Sequence, residues 1–115
     1  MRITPLRAGL AAASFALFAG LGLAVASQTV GAPGAVLATI KNFSFQPPTI
    51  TLPVGGSVTW TNHDGEPHTV TGLDGSLRSG ALDEDDTYTF KFTKPGVYPY
   101  ICTIHPRMRG TVVVK

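Results

Sequence analysis

The segment Ser57-Val58-Thr59-Trp60-Thr61-Asn62 alternates apolar and hydroxyl-bearing side chains with a period of two, the mark of a strand with one face in a core and the other in water. Thr87-Tyr88-Thr89-Phe90-Lys91-Phe92 repeats the pattern, so Tyr88, Phe90 and Phe92 are expected to point inward. Around these two segments, β-branched runs are cut by Gly and Pro. Residues 36–40 form one such run, continued by alternation through Phe43 and Phe45 to the stop at Pro47-Pro48. Residues 50–54 lead into Gly55-Gly56, residues 97–102 follow Lys94-Pro95-Gly96, and residues 111–114 close the chain. No stretch after residue 35 has helical periodicity long enough for a helix. Seven or eight short strands in about 80 residues predict an all-β fold, an antiparallel sandwich or small barrel. Trp60, on the apolar face of its strand, reads as core.

The first 26 residues follow a different rule. Arg2 and Arg7 precede 19 residues, 8–26, that carry no charge and end in Ala24-Val25-Ala26. A basic start, an apolar middle and a small-residue cleavage site make a secretory signal, and an uncleaved membrane anchor is the other reading, since 19 apolar residues reach the length of a span. Residues 27–35 read as a flexible lead-in, and 36–115 as the folded domain. Both readings of the amino terminus place the domain in an exported compartment, such as the periplasm.

The whole chain of 115 residues carries nine basic and seven acidic side chains, but two of the basic ones leave with the signal. The remaining 89 residues are formally neutral, which removes the broad cationic field that nucleic-acid or membrane attraction needs. A domain of that size has a modest core, and the single Cys excludes both an internal disulfide and a Cys-rich zinc site. A thiol left exposed in an oxidising compartment would be lost to oxidation, so Cys102 needs an explanation.

Cys102-Thr103-Ile104-His105-Pro106-Arg107-Met108 supplies it. Cys-x2-His-x2-Met directly after a strand lets one tight loop turn a thiolate, an imidazole and a thioether toward one point. That donor set suits copper in both Cu(I) and Cu(II) states, whereas a thioether is an unusual zinc ligand. A trigonal site needs a second imidazole, and His68, 34 residues before Cys102, is its natural supplier. His63 reads as a surface residue, and the acidic run Asp83-Glu84-Asp85-Asp86 as a solvated turn before the Tyr88 strand.

Residues 98–108, together with Asn62 and His68 upstream, resemble the cupredoxins, the small blue-copper proteins, and the short ligand loop is most similar to their amicyanin branch. The likeness spans residues 43–115. It implies a Greek-key β-sandwich in which His68, Cys102 and His105 are equatorial ligands of one type 1 copper and Met108 is the long axial ligand. It also implies that Asn62 hydrogen-bonds across to the ligand loop, at Thr103, and that the protein is a monomeric carrier of single electrons, not an enzyme. Ile104 and Arg107 depart from the amicyanin loop, which has Pro and Phe there, so the identity of the redox donor and acceptor does not carry over. Two other readings stand beside this one: a copper-delivery protein using the same residues, and a metal-free β-sandwich interaction module.

Overall fold

The computed structural model describes residues 34–115; the signal or anchor at residues 1–26 and most of the lead-in lie outside the described residues. Eight strands form two four-stranded sheets, with no helix among the described residues. One sheet has the order β2-β1-β4-β6, from β1 (Ala35–Lys41), β2 (Ser44–Gln46), β4 (Ser57–Asn62) and β6 (Thr87–Lys91). The other has the order β3-β8-β7-β5, from β3 (Thr49–Leu52), β5 (Thr71–Gly72), β7 (Gly96–Ile101) and β8 (Arg109–Val114).

The two alternating segments behave as their sequences predict. Val58, Trp60 and Asn62 of β4 are buried while Ser57, Thr59 and Thr61 are partly exposed. In β6, Tyr88 and Phe90 face the core between exposed Thr87, Thr89 and Lys91, and Phe92 is buried just beyond. Trp60 is fully buried, and its indole N–H donates to the Tyr100 hydroxyl of β7 at 3.2 Å, a bond that crosses from one sheet to the other. The same cluster takes in Ile40, Phe45, Ile50, Leu77, Phe92 and Val112.

Two expectations change. The strand pairing is mixed, because β1 runs parallel to β4 and β3 parallel to β8, while the other four ladders are antiparallel. The path of the chain permits this: after β2 it crosses to the second sheet for β3 and returns for β4, and a parallel pair needs such a crossover because a hairpin can join only antiparallel strands. The second change is local. The run through Phe43 and Phe45 is not one strand, since β1 ends at Lys41 and β2 folds back on it with Lys41 opposite Ser44. The two residues between them, Asn42 and Phe43, have φ of 52° and 55°. Two successive positive φ values match a type I′ hairpin turn, which suits Asn but costs a residue such as Phe about 1–2 kcal/mol. The turn leaves Phe43 about half exposed and Phe45 buried.

Candidate metal centre

All the predicted ligands lie at one end of the sandwich, on the two connections that follow β4 and β7. Cys102 directly follows β7, and the pairing of Ile101 with Arg109 closes residues 102–108 into a short loop between β7 and β8. The loop is tightened from within: the Cys102 N–H donates to the Met108 carbonyl at 3.2 Å and the Met108 N–H to the His105 carbonyl at 2.8 Å. His68 lies in the β4–β5 connection, pinned by reciprocal backbone bonds with Leu82 at 3.1 and 2.8 Å. Cys102 and His68 are fully buried, Met108 is buried, and His105 is partly exposed.

Three donor atoms converge. Cys102 Sγ is 3.8 Å from His68 Nδ1 and 3.8 Å from His105 Nδ1, and the two Nδ1 atoms are 3.2 Å apart. A triangle with those sides has its centre about 2.1 Å from each corner, the bond length of an imidazole nitrogen to a first-row metal and a little less than that of a thiolate sulfur. Lone pairs aimed at one point from that range repel one another unless a cation accepts them. The donor set therefore fits a bound metal, and two imidazoles, a thiolate and a thioether suit copper. This is the one group of three or more His, Cys, Asp or Glu donors so arranged among the described residues.

The orientation of each donor has a visible cause. His68 Nε2 lies 2.9 Å from an Asp64 carboxylate oxygen. Burial raises the Asp64 carboxyl, but hydrogen bonds from the Phe43 and Asn42 N–H groups and from His68 outweigh it and hold the group below its ordinary value. An ionised carboxylate only accepts, so His68 keeps its proton on Nε2 and offers the Nδ1 lone pair inward. The Thr69 N–H donates to Cys102 Sγ at 3.3 Å, compensating the charge of a thiolate where water is excluded. Phe43 packs nearly perpendicular to both imidazoles, at 87° and 86°, with centroids 5.0 Å from His68 and 5.0 Å from His105.

The bond expected from Asn62 to Thr103 goes elsewhere. Asn62 is fully buried, but β4 ends there and its side chain serves the turn that follows. Its amide N–H groups donate to the carbonyls of Glu66 and Leu82, and its oxygen accepts from the Asp64 N–H. Thr103 is clamped instead by Thr69, whose hydroxyl accepts from the Thr103 N–H at 2.8 Å and lies 2.9 Å from its hydroxyl. Asp64, Thr69 and Phe43 are thus the site residues that sequence reasoning misses. Asp64 and Thr69 could have been sought from their places four residues before and one residue after His68; Phe43 had no such signal. His63 is exposed, 3.9 Å from Asp85, as expected. The acidic run is an exposed turn, closed by the Asp86 N–H on the Asp83 carbonyl and tied to the end of β4 by backbone bonds with Asn62.

Residues 10–114 match the family model of the cupredoxin-like domain. The chain belongs to the cupredoxin-like family. It is 39% identical to amicyanin-alpha of Methylorubrum extorquens over the full length of both chains. It is 36% identical to the chloroplastic plastocyanin of Tetradesmus obliquus, over 94% of this chain and 78% of that one. Among solved structures, the Cu(I) form of an amicyanin mutant superposes with a TM-score of 0.68 at 36% identity, covering 74% of this chain and 86% of the other. The cupredoxin likeness therefore reaches the ligand loop and both sheets. It makes this cupredoxin a type 1 copper protein of the electron-transfer kind.

Proposed function

We propose that this cupredoxin carries single electrons between redox proteins of an exported compartment, with His68, Cys102 and His105 as equatorial ligands of one copper ion and Met108 as the axial one. The observation that carries the reading is the triangle of donor atoms, 3.8, 3.8 and 3.2 Å on a side, at the buried end of a rigid sandwich. Bound copper supplies a one-electron couple between Cu(I) and Cu(II). The chain's own residues do the rest. Asp64 fixes the His68 ring, the Thr69 N–H meets the sulfur, and the Thr69–Thr103 clamp ties the two connections together. Donors held this firmly keep one geometry in both oxidation states, so little rearrangement opposes transfer. The partly exposed edge of His105 is the path to a partner, because Cys102 and His68 are sealed from solvent.

Residues 1–26 serve in this reading as the export signal, removed to leave a monomeric domain. The reading also makes the protein a carrier and not an enzyme. The chain has three histidines, two of them taken by this site, too few to build a second copper centre of the kind a copper oxidase needs. Absorption and EPR spectra of the copper-loaded mature protein test it. An intense thiolate-to-Cu(II) band is expected in the wild type and absent in Cys102→Ser, while Met108→Gln keeps the colour and lowers the potential. A Cys102→Ser protein that stays blue overturns the assignment. Rapid copper loss to a mild chelator, without reversible voltammetry, would favour delivery of copper over transfer of electrons.

A further inference from the structure

We propose that a polar pocket beside the ligand loop binds a carboxylate. The pocket, about 260 Å³, is lined by Thr69, Thr71, Arg78, Gly80 and Thr103. It contains one cation and no acid. Arg78 is exposed and makes no ion pair among the described residues. Thr71 and Arg78 are bridge partners on antiparallel segments, so their side chains emerge on the same face. The segment that carries Arg78 is firmly held. Ser79 N–H donates to the Val70 carbonyl at 2.9 Å, Val70 N–H to the Ser79 hydroxyl at 2.8 Å, and Arg78 N–H to the Tyr88 hydroxyl at 3.0 Å. Gly80 has a φ of 70° and open space where a side chain would stand, which keeps the mouth clear.

Counting protons on the three hydroxyls identifies the second donor. Thr69 Oγ1 accepts from the Thr103 N–H at 2.8 Å and from the Thr71 hydroxyl at 3.1 Å, which uses both of its lone pairs. Its own proton must then go to Thr103 Oγ1, 2.9 Å away. The Thr103 proton is left over, and no acceptor takes it among the described residues. The pocket therefore offers one hydroxyl donor and one guanidinium fork, which suits the two oxygens of a carboxylate. Such a ligand would end a chain of hydrogen bonds running from Thr71 through Thr69 to Thr103. Thr69 is also the residue whose N–H meets Cys102 Sγ, so the pocket adjoins the ligand sulfur.

The carboxylate comes from one of two sources, a free small acid or an Asp or Glu side chain of the redox partner; the second rests on the proposed electron-carrier role. NMR titration of the reduced, copper-loaded protein with sodium acetate, at fixed pH and ionic strength against sodium chloride, tests the pocket. The amide signals of Thr71, Gly80 and Thr103 are expected to move along a saturating curve. Arg78→Gln should weaken that binding about tenfold or more, with the blue absorption of its oxidised form unchanged. A linear drift, or the same curve in Arg78→Gln, overturns the proposal. Capped Ala-Glu-Ala peptide in place of acetate separates the sources: saturation of the same amides assigns the site to a partner's side chain, and saturation by acetate alone assigns it to small acids. Saturation in a protein that never turns blue would leave the carboxylate site standing and remove the electron-carrier reading.

Discussion

The two oxygens of Asp64 accept from three donors: the Asn42 N–H at 2.8 Å, the Phe43 N–H at 2.9 Å and His68 Nε2 at 2.9 Å. One side chain thus holds a strained turn and a metal ligand together, and backbone strain of this kind tends to gather where a site must be held in place. Asp64→Asn keeps the size but turns one acceptor into a donor facing N–H groups. Denaturant unfolding of the metal-free variant should show a loss of about 1–3 kcal/mol, and chelator competition a copper affinity about 10–100-fold weaker. The pH dependence has a definite sign. The folded carboxyl lies below its ordinary value of 3.8, so its stabilisation is complete above that value and is lost as pH falls through the depressed one. The stability gap between wild type and Asp64→Asn, both metal-free, should therefore close on acidification below about pH 4. A gap that widens in acid would show that the carboxylate is not the group that holds the turn.

Between elements, the pair most exposed to test is β7 against β8. Tyr100 lies opposite Gly110 in that ladder, and a Cβ on Gly110 would run into the Tyr100 ring and hydroxyl. That ring is fully buried and packs at steep angles against Phe45 and Trp60, and its hydroxyl accepts the Trp60 N–H that ties the sheets together. Burial raises the Tyr100 hydroxyl pKa above its ordinary value, the Trp60 bond opposing this only in part, so the group stays a neutral phenol. Gly110→Ala should cost about 1–3 kcal/mol by overpacking and shift the near-ultraviolet signal of Trp60; an unchanged melting curve would show that the ring moves aside freely. The alternating strands β4 and β6 were legible because their faces differ in polarity residue by residue. The break at Asn42-Phe43 was not, because the period of two runs straight through it and the acceptors that make the turn sit on Asp64, 21 and 22 residues further along the chain, just after β4. Asn62 misled for a related reason: its spacing from His68 was visible, but whether its amide faces the ligand loop or its own turn depends on where β4 stops. Cys102, His105 and Met108 could be read because they share one loop, where spacing is geometry.

At the scale of the whole molecule, the question is what a sandwich without disulfides gains from its metal. The buried core extends to the ligand end, where Cys102 and Met108 belong to the same apolar cluster as Trp60 and Val112. Drawing three donor atoms together there costs stability in the absence of a cation, because their lone pairs face one another across 3.2 to 3.8 Å. Copper that binds only the folded chain should recover that cost and add more. At a free concentration 1,000 times its dissociation constant, linkage alone contributes about 4.1 kcal/mol. A domain of this size gains about 4–8 °C in melting temperature per kcal/mol, so loading should raise the midpoint by at least about 16 °C at that concentration. Calorimetry of the metal-free and loaded forms measures the rise directly. Cys102→Ser should lose most of it, read as the difference between the variant's own metal-free and loaded midpoints, because exchanging a buried sulfur for a smaller, polar oxygen lowers the metal-free midpoint by itself. An equal rise in Cys102→Ser would place the stabilising copper elsewhere, and the exposed acidic turn at Asp83, Glu84, Asp85 and Asp86 would be the next site to remove.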